Sequence, residues 1–308
     1  MSFNSNLNPN VVKTELDDVW DQTFNGQQHP GHATAQTEAI FRTHKIEMAA
    51  YQQEEMQGVG AWEQVAEESE LPEGTPRILN KKTTSIANFK KQIHIPVEFF
   101  EDNMHSSYEK AVRNFARRAV ITRDKNAFKL FRNAATTTLT ADGLALGSNS
   151  HTTFGGTVDN LLTDALSETS LNTAMVMMYE QKALDNEIDG HVPAVLLVAP
   201  KNFKLACEIT KSELRSGTAN NDMNYYSQLF PGLIVYTSPF LGDAAGGDDD
   251  DWYLLSDTHS IERFIRQDTT TSLVDYIYDS KDRYVYKGRF REEVDVMSYE
   301  GIIVANVA

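Results

Sequence analysis

The sequence has 308 residues, of which 44 are acidic and 28 are basic, and its formal net charge is −16. An acidic chain of this kind lacks the concentrated basic face that phosphate backbones require, which excludes a sequence-specific nucleic-acid reader. The length allows one or two domains with a sizeable core.

The single cysteine, Cys207, excludes an internal disulfide and favours a reducing compartment. It falls in an apolar helical pattern, which indicates a buried inert thiol and not a nucleophile. The first residues carry neither a basic start nor an apolar run, so we expect no secretory signal. No stretch of 18 apolar residues occurs, so we expect no membrane span and a protein made and used in a cytoplasm.

The N-terminal part is predicted to be a polar arm followed by a helix. Residues 1–33 are rich in Asn, Gln, Pro and Gly, so they cannot form a core of their own and we expect them to lie on another surface. His29 and His32 flank a Pro-Gly turn without further ligands, which favours a turn over a metal site. Apolar residues at helical spacing predict a helix over residues 34–56.

Charges of opposite sign occupy the two arms of a predicted hairpin. Residues 54–73 include seven acidic residues and no basic one, whereas residues 77–91 include five basic residues and no acidic one. A Pro- and Gly-containing turn, LPEGTP, separates the arms, and alternating apolar residues over 92–97 indicate a strand. Because an isolated two-stranded ribbon is marginal in water, we expect the hairpin to contact a neighbour. The alternative is a mobile charged loop, which is uncommon at this length.

A long helix is predicted over residues 105–135, without Pro or Gly. Apolar side chains recur there at helical spacing: Tyr108, Val112, Phe115, Ala119, Phe128, Phe131 and Ala134. The same range carries eight basic and only two acidic residues. Because core residues share this helix, the basic stripe favours contact with an acidic protein surface over contact with nucleic acid.

The second half of the chain mixes helices and strands without a regular βαβ rhythm, so we predict an α+β fold. Helices are predicted over residues 171–184 and from 201 to about 214. Strands are predicted at 192–200, 233–236, 252–255, 261–265 and in the last region, 283–308.

No phosphate loop, nucleophile elbow or paired-cysteine motif is present. Asp248–Asp251 could gather a hard cation, but consecutive carboxylates do not converge as calcium ligands do, which favours a solvated loop. Ser148, Ser150 and His151 share a polar loop, and adjacency in sequence does not make a nucleophile. The remaining histidines are scattered and are interpreted as structural. We predict no catalytic, cofactor-binding or metal-binding residue and no cofactor.

A family resemblance lies in the order and spacing of several segments. They are WEQVAEESELPEGTP (62–76), QIHIPVEFFEDN (92–103) leading into the long helix, PAVLLVAPKNFKLAC (193–207), LFPGLIVYTSPFLG (229–242) and WYLLSD (252–257). Together they resemble the major capsid proteins of tailed bacteriophages with the Hong Kong 97 fold, most of all the Mu-type major head proteins.

The resemblance implies a domain organisation. It predicts an N-terminal arm and leading helix over 1–50 and an extended β-hairpin loop over 51–97, which in the family overlaps an adjacent subunit. It further predicts a peripheral domain from 98–137 and 258–298, with a spine helix at 105–135. The axial domain, which packs around five- or six-fold axes, is predicted from 138–257 and 299–308.

The resemblance also implies a function and partners. The expected protein is a structural subunit, not an enzyme, that self-assembles into hexamers and pentamers of an icosahedral shell around double-stranded DNA, without sequence-specific binding. We expect a separate scaffolding protein, a portal, a possible decoration protein and no membrane, with assembly in the host cytoplasm and residence in the virion. Some members cross-link subunits through Lys and Asn; Lys81, Lys82 and Asn80 lie in the loop, without a matching acid.

Two alternatives stay open from the sequence. One is a host nanocompartment shell of the encapsulin kind, which stores an enzyme cargo. The other is a soluble metal-dependent hydrolase that uses Asp248–Asp251 or the loop with Ser148, Ser150 and His151.

Overall fold

The computed structural model describes residues 9–26, 40–56, 58, 62, 64–65, 70, 73–74, 76–102, 105–213, 223–275 and 281–307. The chain divides into two compact units. Unit 1 comprises Met1–Tyr51, Ser85–Ala127 and Arg263–Glu293; unit 2 comprises Gln52–Thr84, Phe128–Glu262 and Val294–Ala308. Each unit therefore gathers segments that are far apart in the sequence.

The helices in the described ranges are α1 (Pro9–Gly26), α2 (Glu98–Glu101), α3 (His105–Arg132), α4 (Glu168–Tyr179), α5 (Phe203–Lys211) and α6 (Tyr225–Leu229). Short 3₁₀ turns occur at Pro200–Asn202 and Asp243–Ala245. The longest helix, α3, lies within the range predicted from its apolar spacing and ends three residues before the predicted boundary.

The strands in the described ranges are β1 (Arg42–Lys45), β2 (Ala50–Met56), β3 (Ile78–Ser85), β4 (Ala87–Pro96), β5 (His151–Thr152), β6 (Thr157–Val158), β7 (Leu161–Leu162), β8 (Pro193–Val198), β9 (Ile234–Thr237), β10 (Trp252–Ser256), β11 (Ile261–Val274), β12 (Arg283–Val296) and β13 (Ile302–Ala305). The mixture of helices and sheets is the α+β class that the sequence predicts.

A four-stranded sheet in the order β1-β11-β12-β4 supplies most of the strands of unit 1. Strand β4 runs antiparallel to β12, which places Ile95 opposite Tyr284 and Phe89 opposite Phe290. Alternation along β4 therefore buries Ile95, while the lysines of the strand stay exposed.

The core of unit 1 forms where α1 and α3 contribute side chains to one cluster with β4 and β12. Trp20 of α1 lies 5.1 Å from Phe115 of α3, and Tyr286 of β12 packs edge-on against both rings. Val12 and Leu16 of α1 belong to the same buried cluster. The polar composition of residues 1–33 concealed this helix, because its few apolar residues are interspersed with polar ones.

Unit 2 is built on a five-stranded sheet in the order β7-β13-β10-β8-β9. Strand β10 is central and antiparallel to both β13 and β8, while β8 and β9 are parallel. Every residue of β10 and β13 is buried, as expected for central strands covered on both faces. Helices α4 and α5 add Leu171, Met175 and Ala206 to this core.

Two sequence-based predictions are wrong in the described residues. The helix predicted over 34–56 gives way to strands β1 and β2, because β2 pairs with β3 and Tyr51 packs on Phe264 at 5.0 Å. The predicted second arm of the hairpin is split, since β3 pairs with β2 but β4 belongs to the four-stranded sheet. Pairing with β12 gives β4 a buried face that the hairpin could not provide.

Candidate assembly surfaces

The base of the hairpin joins its acidic and basic arms through side-chain contacts. Lys81 of β3 forms an ion pair with Glu54 of β2 at 2.7 Å. Beside it, the Asn80 amide donates a hydrogen bond to the Glu55 carboxylate at 2.8 Å. The opposite charges of the two arms thus meet at the base, as their order in the sequence indicates.

Lys82 anchors the base of the hairpin within unit 2. Its ammonium group donates hydrogen bonds to the Leu139 and Val296 carbonyls, both at 2.7 Å, and to the Asp295 carboxylate. Thr84 donates a further hydrogen bond to the same carboxylate. Each of the three N–H groups of Lys82 therefore has an acceptor, and the side chain fixes the base of the hairpin in unit 2.

A group of four carboxylates lies near the hairpin base. Glu300, in the turn between β12 and β13, is partly buried, and both this burial and the charges of Glu55, Asp189 and Asp185 raise its pKa to about 7. A carboxyl group whose folded-state pKa exceeds its unfolded value favours the native state at low pH. That contribution to stability is complete below the unfolded-state pKa of about 4.5 and is lost as the pH rises through about 7.

We therefore expect Glu300→Gln to stabilise unit 2 in a pH-dependent manner. At pH 8 the free energy of unfolding should rise by up to about 3 kcal/mol, whereas at pH 4 the change should be close to zero. Urea unfolding at both pH values measures this difference. Glu187→Gln, at an exposed position of the same region, is the control and should have little effect at either pH. Equal stabilisation by Glu300→Gln at both pH values would contradict the assignment.

Helix α3 carries its basic residues in two different environments. Arg123 forms an ion pair with Glu292 at 2.9 Å, and Arg132 donates a hydrogen bond to the Ala245 carbonyl. Several others are exposed and form no ion pair with the residues that the structure describes: Lys110, Arg117, Arg118, Lys125 and Lys129. These exposed lysines and arginines give the helix a cationic face.

Glu292 is the centre of a buried ion-pair cluster in unit 1. Its carboxylate, 1% exposed, accepts hydrogen bonds from Arg263 at 2.6 Å and from Arg123 at 2.9 Å. Arg123 also lies over the Phe290 ring at 5.7 Å. This cluster is not visible in the sequence, because its three charged residues come from α3, β11 and β12.

Two adjoining recesses of unit 1, together named the cationic groove, share Lys90, Lys91 and Arg289. The first also contains Arg118 and the aromatic residues Trp20, Phe89, Phe115 and Phe290, and the second also contains Lys287. Their volumes are about 220 Å³ and about 660 Å³. None of the described residues that line them is acidic, and none of these basic residues forms an ion pair with a described residue.

The carboxylates of the aspartate run, Asp248–Asp251, contact different partners. Asp250 pairs with Lys201 at 3.0 Å, and the Asp251 carboxylate accepts a hydrogen bond from the Val307 amide at 2.8 Å. Asp248 and Asp249 accept hydrogen bonds from backbone amides of their own turn. No cluster of three or more metal-binding side chains occurs among the described residues. The carboxylates thus stabilise a loop.

The serines and His151 do not form a nucleophile and base. His151 is fully buried, with Nδ1 2.7 Å from the Asp142 carboxylate and Nε2 3.1 Å from the Leu146 carbonyl. Both ring nitrogens therefore face other partners, and Ser148 contacts Ser150 at 3.4 Å instead. Burial opposes ionisation of Asp142, but hydrogen bonds, the foremost from His151, lower its pKa to about 2. This buried pair fixes the fold of its loop.

The other candidate residues lie in separate parts of the chain. His29 and His32 lie outside the described residues. Cys207 is a free, half-buried thiol beside the core of unit 2. His191 is buried and contacts the Thr258 hydroxyl at 2.8 Å. In the part of the chain that the structure describes, no helix is both long and apolar enough to span a membrane.

Comparisons with known proteins agree on one architecture. Residues 85–305, more than two thirds of the chain, match the model of a family described as phage capsid protein. No curated protein sequence matches the chain.

Solved structures give the same result at low sequence identity. The virus-like particle from Pyrococcus furiosus aligns with 12% identity and a TM-score of 0.56, covering 95% of this chain and 98% of that chain. The capsid of Myoviridae phage XM1 aligns with 11% identity and a TM-score of 0.56, covering 90% and 92%. The capsid of cyanophage P-SCSP1u aligns with 14% identity and a TM-score of 0.55, covering 87% and 86%. These matches confirm the Hong Kong 97 type of α+β fold.

Proposed function

Because this chain belongs to the phage capsid protein family, we propose that its copies assemble into hexamers and pentamers of an icosahedral shell that encloses double-stranded DNA. A capsid protein is structural and not enzymatic, and it functions by self-association in the shell of the virion. The family match over residues 85–305 is the observation that carries this proposal.

The surfaces described above support assembly through unlike patches. The hairpin is anchored at its base by Lys82 and continues into an acidic segment, whereas unit 1 presents the cationic groove. Two different, complementary patches on one subunit produce heterologous contacts, which close into rings when the rotation between copies allows it. A shell of hexamers and pentamers is one closed arrangement of such contacts.

We also propose the finer assignments that the sequence resemblance implies. Within the family the chain is most similar to the Mu-type head proteins, and its hairpin is the extended loop of that fold. Scaffolding would come from a separate protein, with a portal and a decoration protein as further partners. Assembly would take place in the host cytoplasm.

Replacement of residues 57–77 by a short Gly-Ser turn tests the role of the hairpin. We expect the variant to fold, because the anchored strands β2 and β3 remain, but to lose shell formation. Circular dichroism measures folding, and sucrose-gradient sedimentation measures assembly. As the control, Asp248–Asp251 replaced by four asparagines should still assemble. Normal shells from the hairpin variant would contradict the proposed role.

The contents of purified particles separate a virus head from a storage compartment. One structural neighbour is a virus-like particle from Pyrococcus furiosus and others are phage capsids, so the shared fold is compatible with either content. Particles from the native source should contain nuclease-sensitive DNA once they are opened. A protein cargo without DNA would favour the compartment.

A further inference from the structure

The exposed side of α3 is almost entirely cationic. Eight of the residues in this helix whose side chains the structure describes are exposed, and six of the eight are basic: Lys110, Ala111, Arg113, Asn114, Arg117, Arg118, Lys125 and Lys129. The two acidic residues of the helix offset little of this charge, because Asp124 is buried and Glu109 pairs only with Arg113, at 3.6 Å. The described residues therefore supply no anion for the rest of the cationic face.

Four cations of this face lie in line within unit 1. Lys110 and Arg117 are seven residues apart, as are Arg118 and Lys125, and seven residues make about two turns of an α-helix. At about 100° per residue the four side chains fall within an arc of about 100°, on the side of the helix opposite the buried Val112. They extend over about 22 Å of the helix axis.

The acidic excess of the chain belongs to unit 2. Unit 1 contains 18 basic and 17 acidic residues, whereas unit 2 contains 10 basic and 27 acidic residues. The net charge of −16 therefore does not describe unit 1, to which the four cations belong. A polyanion meets no acidic excess on that unit by itself.

The cationic face lacks the apolar residues that a protein partner requires. None of the large apolar side chains that are exposed in the described ranges belongs to α3. Protein interfaces depend on a buried apolar or aromatic centre, whereas contacts to phosphate use Lys, Arg and amide side chains, such as Asn114 among the four cations. The sequence alone favoured an acidic protein surface because core residues share this helix. The structure places the core residues on the other side, which removes that objection to nucleic acid.

We propose that the cationic face of α3 contacts the phosphate backbone of double-stranded DNA without reading its sequence. Over about 22 Å a duplex carries roughly 13 phosphate charges, so Lys110, Arg117, Arg118 and Lys125 can each reach a phosphate. This inference rests on the proposed function, because it names the surface of the subunit that contacts the enclosed DNA.

The salt dependence of DNA binding measures the number of phosphate contacts. A fluorescently labelled 30-base-pair duplex is titrated by anisotropy with the full chain, at protein concentrations below those at which sedimentation detects shells. Four phosphate contacts predict a slope of about −3.6 in a plot of log K against log salt concentration. Affinity should therefore fall about a hundredfold between 50 and 200 mM salt. Absence of binding at 50 mM salt would overturn the proposal.

A double substitution tests the helix face directly. Arg117→Gln/Lys125→Gln removes two of the four cations, so the slope should fall to about −1.8 and the affinity at 50 mM salt should fall at least about tenfold. The matched control is Lys287→Gln/Arg289→Gln, which removes two exposed cations of β12. These two side chains alternate with Tyr286, which packs on α3, and so lie on the opposite face of the sheet. An equal loss of binding in the control, or no loss in the helix variant, would overturn the proposal.

Competition separates DNA from an acidic protein segment. At equal concentrations of negative charge, unlabelled duplex should displace the labelled duplex more effectively than poly-L-glutamate does. Two duplexes of unrelated sequence should bind with affinities within about threefold of each other, because phosphate contacts carry no sequence information. More effective competition by poly-L-glutamate, or a larger difference between the duplexes, would overturn the proposal.

Sedimentation of the same chains separates this proposal from the function on which it rests. We expect the Arg117→Gln/Lys125→Gln chain to fold, as judged by circular dichroism, and to form shells, because both residues are exposed and form no ion pair with described residues. If this variant binds DNA like the unchanged chain, and the unchanged chain forms shells, the DNA contact is wrong and the capsid function stands. If the variant loses DNA binding as expected but the unchanged chain forms no shell, the DNA contact stands and the proposed function fails.

Discussion

We expect Glu292→Ala to lower the free energy of unfolding by about 3–5 kcal/mol, the cost of breaking a buried ion pair. Removal of this carboxylate leaves Arg263 and Arg123 without the acceptor that both share at 2.6 and 2.9 Å. Arg263 is itself buried, so water cannot replace the lost contact at low cost. Urea unfolding followed by the fluorescence of Trp20, in the same unit, measures the change.

An exposed ion pair in the same unit provides the control for Glu292. Glu109 pairs with Arg113 one turn along α3 at 3.6 Å, and both side chains are accessible to water. Glu109→Ala should therefore cost no more than about 0.5 kcal/mol. If Glu292→Ala proved as mild as Glu109→Ala, the buried cluster would not hold unit 1 together.

In unit 2, Trp252→Ala should lower the free energy of unfolding by about 3–5 kcal/mol. Trp252 is 0% exposed in the central strand β10, and its indole N–H donates a hydrogen bond to the Asp164 carbonyl at 3.0 Å. Truncation to alanine opens a cavity in the core and leaves that carbonyl without its donor. Urea unfolding followed by circular dichroism measures the loss.

Ile188→Ala is the control for Trp252, because Ile188 is 67% exposed in the same unit. We expect its effect to remain within about 0.5 kcal/mol. A loss for Trp252→Ala that is no larger than this would show that β10 does not lie at the centre of the core.

The elements with strong local periodicity could be predicted from the sequence. Tyr108, Val112 and Phe115 recur at helical spacing in α3, and all three are buried. The apolar run of β8 and the short strand β10 were also located to within a few residues. In these elements the local sequence pattern agrees with the tertiary packing, so the sequence alone is sufficient to predict their secondary structure.

Elements whose conformation depends on distant partners could not be predicted in the same way. Residues 42–56 have a helical spacing of apolar residues but form strands, because β3 and β11 supply the hydrogen-bonding partners. The lysines of β4 were assigned to the hairpin, since nothing local shows that Ile95 pairs with Tyr284 almost 190 residues later. Pairing over such separations leaves no local signal.

The candidate assembly surfaces also differ in whether they could be predicted from the sequence. The opposite charges of the two hairpin arms were visible in the sequence, and the pair Glu54–Lys81 follows from them. The cationic groove was not visible, because it combines α3 with β4 and β12. The sequence shows the basic residues of each element separately but not that Lys90, Arg118 and Arg289 lie close together.

Electron microscopy of the purified full chain at increasing concentration tests the central claim most directly. We predict closed icosahedral particles, in which residues 54–77 of each subunit lie on unit 1 of an adjacent subunit. A chain that remains monomeric or dimeric at every concentration, with native circular dichroism, would contradict the conclusion that its surfaces are completed by further copies of itself.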